Sequence, residues 1–514
     1  MTFFRAIRPG VFWPPALFLV ICVAASLIDF DRFLEASNNA NRFILTHLDW
    51  LFTSASFAAV LVVVAVFLSP LGRIRIGGEN SVPILSRWNW FAITLCTTIA
   101  VGILFWGTAE PIAHFTNPPA FSGAEPRSPA AAHFAFSATF LHWTMTPYAL
   151  YAVTTLAFAL SYHNHRQPYS LSAIIAVILG QTDRVKPHPL GAALDMMALF
   201  ALVAGVAAAL GAGVMTLTAG LTRVAGIDQS LISTLMVTAM IVLVFIASSL
   251  SGLQKGIRFL SDWNVRLFIA LALFIFVAGP SLTVMRLGAD GVLAYVTDFI
   301  PASLTLGDRS NDPWTKDWTV FFFANWLAWA PITALFLGRI SVGYTVREFV
   351  LFNLVLPAFF SVIWMTILGG GAIEADRATG GGLATAYADI GPEAVIYGLF
   401  DTLPVPGIVT IIFLTTVFIS FVTAMDSNTL SIAHLCLKSE TPGRSPENVS
   451  AQIKLFWGLL IGGLSFIMTA TTGIDGVRVL SNLGGVPGLV ILILSGVLLI
   501  KLMISSVRQK ISGT

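Results

Sequence analysis

Residues 318 to 331 read Trp318-Thr-Val-Phe321-Phe322-Phe323-Ala-Asn325-Trp326-Leu-Ala-Trp329-Ala-Pro331, and the stretch runs on through Leu337-Gly338-Arg339-Ile-Ser341 to Arg347-Glu348. Its apolar run is about as long as a hydrocarbon core is thick, which predicts a membrane-spanning helix. The rings of Phe321, Phe322, Phe323, Trp326 and Trp329 crowd its middle, with the helix breaker Pro331 just after them. Aromatic side chains of membrane helices ordinarily collect at the two interfaces, so a midplane cluster needs another cause. One cause is a cation. Aromatic faces attract a quaternary ammonium through their quadrupoles and replace hydration for a methylated nitrogen that donates no hydrogen bond. Taken singly, each ring is equally well read as filler between helices.

Working outward, 56% of the chain is hydrophobic and 11% charged, and apolar runs recur from end to end, which defines a polytopic membrane protein. A net charge of +2 gives no reason to expect nucleic acid. Cys22, Cys96 and Cys436 have neither disulfide nor metal-ligand spacing and read as buried free thiols. Arg5 and Arg8 precede an apolar run without a small-residue cleavage site, so that run reads as a first membrane helix. No paired acids, metal ligands or nucleophile with its base stand at useful spacing, so an enzyme is not expected and no cofactor is implied. A conducting channel is the other rival; it would not exchange labelled substrate.

Twelve apolar segments are predicted, at 11–29, 49–70, 89–107, 129–160, 190–222, 231–250, 264–285, 318–338, 349–370, 405–434, 452–471 and 483–503. With both ends on one side, eighteen basic residues lie together, Arg5, Arg8, Arg73, Arg75, Arg87, Arg166, Arg184, Lys186, Lys255, Arg258, Arg339, Arg347, Lys438, Arg444, Lys454, Lys501, Arg508 and Lys510, and the opposite loops carry half as many. Both termini are therefore expected in the cytoplasm, with the chain in a bacterial inner or plasma membrane. Between the seventh and eighth segments, Val292, Leu293, Tyr295, Val296, Phe299 and Ile300 recur at helical spacing opposite Asp290 and Asp298. That pattern predicts a surface amphipathic helix. The outer stretch 371–404 is glycine-rich and reads either as a moving gate or as a plain connection.

The motif around Trp326, with Gly107-Thr-Ala-Glu110-Pro111, His142-Trp143-Thr-x-x-Pro147 and Thr423-x-x-Asp426-Ser427, resembles the betaine/choline/carnitine transporter family over nearly the whole chain. The resemblance implies an all-α integral membrane protein with twelve transmembrane helices and a LeuT-like pair of five-helix inverted repeats. It divides the chain into an N-terminal region with two peripheral spans (1–88), a first repeat (89–285), a surface helix and loop (286–317), a second repeat (318–503) and a short tail (504–514). The first helix of each repeat is expected to be interrupted near the midplane, at Gly102 and Gly107 in span three and at Pro331 and Gly338 in span eight. A homotrimer is implied as well. The tail is short where osmotically regulated members carry long charged termini, so such regulation is not expected.

The same resemblance implies a substrate box of Trp143, Tyr148, Tyr151 and Trp326, with Phe323 beside it and Trp329 at a second site a turn further in. Asn325 stands where many members have another tryptophan, and Tyr148 where betaine carriers have one. Gly102 occupies a position where choline carriers tend to have Asp, which favours a zwitterion that brings its own carboxylate. The implied function is secondary transport of a betaine-type solute, with sodium-independent carriage of carnitine, choline or a related compound as the alternative. For sodium, the matching ligands are the carbonyls of Cys96 and Ile99 and the hydroxyls of Ser420 and Thr423, and Ala424 replaces a serine of sodium-coupled members. Arg266 is either a standing substitute for the ion or a residue that snorkels to the membrane surface. Glu110, Asp195 and Asp426 are expected to cap helices or pair internally.

Overall fold

The computed structural model describes residues 7–98, 100–180, 189–251, 254–438 and 451–512. Among them all regular structure is helical, apart from the isolated antiparallel bridges Ile7–Leu437 and Arg75–Thr345. Helix α1 spans Pro9–Ile28, α2 Phe30–His47 and α3 Asp49–Leu68. α2 alternates charge with apolar residues and is started by Asp29, whose side chain accepts from the Arg32 amide at 3.1 Å. It buries only Ile44 and lies at the surface between two spans.

The third expected segment is two helices, α4 (Arg87–Thr98) and α5 (Ala100–Thr116), bent by 57° at their junction. The fourth is also broken, into α6 (Pro129–Trp143) and α7 (Met145–Ala159). α8 (Ser172–Ile178), α9 (Pro189–Ala225), α10 (Leu231–Ser251), α11 (Gln254–Ala278) and the surface helix α12 (Ser281–Ser303) follow. α12 begins at Ser281 and not at 286; Gly288 and Gly291 face Thr366 and Phe136, where a methyl group would stand 2.3 Å from the neighbouring side chain. Its opposite side leaves Leu293, Val296 and Ile300 exposed.

A π-turn over Thr315–Val320 leads into α13 (Phe321–Ile340), after which come α14 (Val346–Val350) and α15 (Leu356–Ala378). The outer stretch holds α16 (Gly382–Asp389) and α17 (Val395–Asp401), and the chain ends with α18 (Pro406–Cys436), α19 (Ala451–Thr472) and α20 (Ile474–Ser512). Among the described residues nine helices are long and apolar enough to cross a membrane, ten with the bent pair as one span. The two other expected segments fall outside that count because 129–160 is divided at Thr144 and because only Leu231–Ala247 of α10 enters the count among the described residues.

Burial separates centre from rim. The Thr315–Ile340 window is 89% buried and Leu190–Ala225 83%, against 33% for Pro9–Ile28. Span eight therefore sits at the centre, and there the expectation of an interrupted helix fails: α13 runs unbroken through Pro331 and Gly338. Pro331 has no N–H for the Leu327 carbonyl, yet one lost bond is tolerated where neighbours pack closely. α20 provides that neighbour. A methyl group on Gly488 would stand 2.0 Å from the Leu327 oxygen, so only glycine lets the two backbones meet.

Candidate functional site

The break between α6 and α7 has a local cause. Pro147 cannot donate to the carbonyl of Trp143, and Thr144 takes φ −119°, ψ −114°, outside the helical region. Its hydroxyl turns back to the Phe140 carbonyl at 2.6 Å. The break sets Trp143 and Tyr151 on either side of Trp326 from α13, with ring centroids 5.4 Å and 5.0 Å away, both edge to face. Such geometry is favourable for aromatic quadrupoles and leaves ring faces for a ligand.

These rings line a cavity of about 660 Å³, counted to its open mouth. Of the expected site residues, Gly102, Trp143, Tyr151, Asn325, Trp326 and Trp329 line it. Trp329 thus shares this cavity and does not mark a separate one. Tyr148 and Phe323 do not line it. Tyr148 stands behind Trp326 at 5.7 Å, its hydroxyl bonded to Ser361 of α15 at 3.0 Å. Phe323 is buried and lies edge-on to His142 at 6.5 Å. Gly102 is where it must be small: a methyl group there would come 2.9 Å from the Trp143 ring. Asn325 accepts from the Ser481 hydroxyl at 2.9 Å, which leaves its two N–H donors for the cavity. Among the described residues no lining residue is acidic or basic.

Sequence reasoning missed Trp106, which closes the cavity beside Phe321 and meets Phe322 edge to face at 5.4 Å. The only signal was its place one residue before the Gly107 motif. Behind the ring wall, Glu110 pairs internally, as its sequence context suggested. Its carboxylate accepts from the Trp143 indole at 2.6 Å and meets His142 Nδ1 at 2.6 Å, with His114 Nε2 at 3.5 Å. The Trp326 indole donates to the His142 carbonyl at 3.0 Å. Asp195 likewise pairs internally, with Arg8 at 2.5 Å and Ser170 at 2.5 Å; the side chain of Asp426 lies outside the described residues.

Comparison with known proteins gives the same assignment as these motifs. Residues 10–508 match the family described as betaine/carnitine/choline family transporter. The chain belongs to that family. It is 32% identical over 469 residues to glycine betaine transporter 1 of Vibrio parahaemolyticus, covering 90% of this chain and 86% of the relative. Identity to the glycine betaine transporter OpuD of Bacillus subtilis is 29% over 505 residues, covering 98% and 94%. Identity to the betaine/ectoine transporter LcoP of Corynebacterium glutamicum is 30% over 499 residues, covering 96% and 77%. The protein is thus a multi-pass membrane transporter and not an enzyme.

The transporter's expected ion ligands lie on the other side of the cavity. Cys96 of α4 and Ser420 of α18 are buried and joined by Asn264 of α11, whose Nδ2 reaches the Ser420 hydroxyl at 2.8 Å and the Cys96 sulfur at 3.8 Å. Thr423 turns its hydroxyl to the Ile419 carbonyl at 2.6 Å. Ala424 lines the cavity itself. Ile99 lies outside the described residues. Asn264 was not legible in the sequence, being one amide in an apolar segment; it is fully buried, and its Oδ1 has no hydrogen-bond partner among the described residues. Arg266 turns away from this group. Its guanidinium pairs with Asp262 at 2.8 Å, its side chain is 59% exposed, and it lies 5.7 Å from the Trp263 ring. Of the two readings offered for Arg266, the snorkelling one fits.

Proposed function

We propose that this transporter carries a quaternary-ammonium zwitterion of the betaine type, coupled to sodium, by alternating access around the aromatic cavity. The observation that carries the reading is the cavity itself: Trp143, Tyr151 and Trp326 present rings to one space that, among the described residues, holds no charged side chain. A bare cation would find faces but no counter-charge, whereas a zwitterion supplies its own. In this reading the Asn325 amide donates to the substrate carboxylate, and Tyr148 and Phe323 support the box from behind. Trp329 continues the path toward the cytoplasm.

For sodium, the donor set is hard oxygen: the Cys96 and Ile99 carbonyls and the Ser420 and Thr423 hydroxyls. The partnerless Asn264 Oδ1 adds an oxygen where Ala424 removes one, which favours a working site over the sodium-independent alternative. Bound sodium would supply the electrochemical driving force. The reading also includes twelve spans, the two LeuT-like inverted repeats at 89–285 and 318–503, both termini in the cytoplasm of a bacterium, and a homotrimer.

Uptake of radiolabelled glycine betaine into proteoliposomes, with and without an inward sodium gradient, tests this. Accumulation only with sodium is expected. Uptake indifferent to sodium would overturn the coupling, and displacement by ectoine but not by betaine would overturn the substrate.

A further inference from the structure

Three titratable side chains behind the ring wall take no part in the reading above: Glu110, His114 and His142, exposed by 0, 1 and 0%. Their partners determine where most of the protons sit. Trp314 offers only an indole N–H and gives it to His114 Nδ1 at 3.2 Å, so the His114 proton is on Nε2, facing Glu110. Trp143 is also a donor only and bonds Glu110 Oε2. Glu110 Oε2 thus accepts one fixed N–H, from Trp143, and Oε1 faces His142 Nδ1 at 2.6 Å, while His114 Nε2, 3.5 Å from Oε1, has no hydrogen-bond partner among the described residues. With Glu110 ionised, His142 Nδ1 donates to Glu110 Oε1, while its Nε2 lies 3.0 Å from the Thr319 hydroxyl, which can donate or accept. His142 is thus the member whose neighbours fit both states: neutral with Thr319 donating, or imidazolium with both nitrogens donating.

We propose that the Glu110–His142 pair is a proton-binding site linked to occupancy of the aromatic cavity, the proton leaving when a cation enters. The link is structural as well as electrostatic. Trp143 hangs on Glu110 and Trp326 on the His142 carbonyl, and Phe322 stacks on the His142 ring at 4.8 Å while meeting Trp143 edge to face at 5.3 Å. With His142 neutral the pair carries one negative charge just behind the ring wall, which favours a cation in the cavity. Protonation of His142 cancels that charge and weakens cation binding by the factor with which the cation weakens proton binding.

The charged groups around the pair form a background to this switch. From α20, Arg478 lies 5.2 Å from the Trp318 ring and pairs with Asp475 at 3.6 Å. From α15, Arg377 lies 5.1 Å from the Phe115 ring. Lys316 and Asp317 stand on the π-turn, Tyr387 on α16 and Glu393 before α17. The guanidinium groups keep their charge throughout the range in which histidine titrates.

The proton site rests on the hydrogen bonds alone, and the sign of the link rests on the cavity being a quaternary-ammonium site. Intrinsic tryptophan fluorescence of the full-length protein in detergent, followed from about pH 5 to pH 9 without ligand, tests the first. A titration that His142→Gln and Glu110→Gln both lose is expected, and one that survives in both variants, or none in the parent, overturns the site. For the second, glycine betaine or tetramethylammonium is added to weakly buffered protein and released protons are read with an indicator. Affinity about tenfold tighter on the alkaline side is expected, with proton release, more for tetramethylammonium because it has no carboxylate. Binding with neither pH dependence nor proton release overturns the link. A titration without binding of either compound supports the proton site and overturns the substrate reading. Should both variants fail to fold, proton release by the parent protein supports the link and its absence on binding overturns it.

Discussion

On the aromatic side of the cavity, two of the lining indoles have spent their N–H on a buried acceptor: Trp143 on Glu110 and Trp326 on the His142 carbonyl. On the side of the expected ion ligands, Asn264 Oδ1 is buried with no hydrogen-bond partner among the described residues, and Ala424 presents a methyl group to the cavity. The first wall is assembled before any ligand arrives, since rotating a ring would strand a buried polar atom. The second has an open valence, whose cost is recovered when a hard cation supplies the missing partner. Under the proposed function, one protein thus keeps a rigid wall for the solute and an unsatisfied one for the ion.

Trp326→Ala breaks the rigid wall. It removes the ring shared by the contacts to Trp143, Tyr148 and Tyr151, and should weaken glycine betaine binding by about 2 kcal/mol or more, roughly 30-fold, the value of a desolvated cation–π face. Calorimetry on monodisperse variant protein checks this; unchanged affinity removes the box assignment. Gly102→Asp attacks the same wall from behind. Its β-carbon would stand 2.9 Å from the Trp143 ring, so the ring must shift, and the added carboxylate repels that of a zwitterion. The ratio of choline to betaine affinity is expected to rise about tenfold. Competition at a single pH reads that ratio, and an unaltered ratio means that the residue at 102 does not govern the charge type of the substrate.

The ion side breaks at Asn264. Leucine there keeps the volume and removes the orphan oxygen and the bond to Ser420, so the sodium concentration for half-maximal uptake should rise about fivefold. Uptake against sodium at saturating betaine measures it. An unchanged curve would mean that the Asn264 oxygen satisfies itself with water and holds no ion.

How much of this the sequence disclosed follows from how local each cause is. Apolar length and the Trp326 motif are written in consecutive residues, and so is the break at Thr144, because Pro147 lies three residues on. The continuity of α13 through Pro331 is not local, since it depends on Gly488 of α20 meeting the Leu327 carbonyl. Tyr148 belongs to the box that the family resemblance implies, yet Ser361 on α15 holds its hydroxyl, and the ring stands behind Trp326. Asn264 carries no motif, and it gains meaning only when Cys96 and Ser420, from two other helices, are placed against it.

Ala424→Ser sharpens the comparison from the other direction. It restores a hydroxyl on the cavity side of α18, and if Asn264 already covers part of that loss, the gain is small. Half-maximal sodium should fall about threefold, less than Asn264→Leu raises it. A fall larger than the Asn264 effect would make the serine position, and not the amide, the governing ligand.

The smallest expected effect is that of Arg266→Ala, and its smallness separates two accounts of coupling. A cation that stands in for sodium must reach the group around Ser420. The Arg266 guanidinium instead pairs with Asp262 at 2.8 Å on the exposed side of α11, and Asp262 also accepts from the Trp88 indole at 2.8 Å. An ion pair this exposed contributes between about 0 and 1 kcal/mol, and removing it leaves Asp262 with a second donor and access to solvent. Sodium dependence and maximal uptake of Arg266→Ala should therefore match the parent within about twofold. Loss of transport, or sodium dependence gained by a parent that lacked it, would put Arg266 in the place of the ion after all and remove Asn264 from the coupling site.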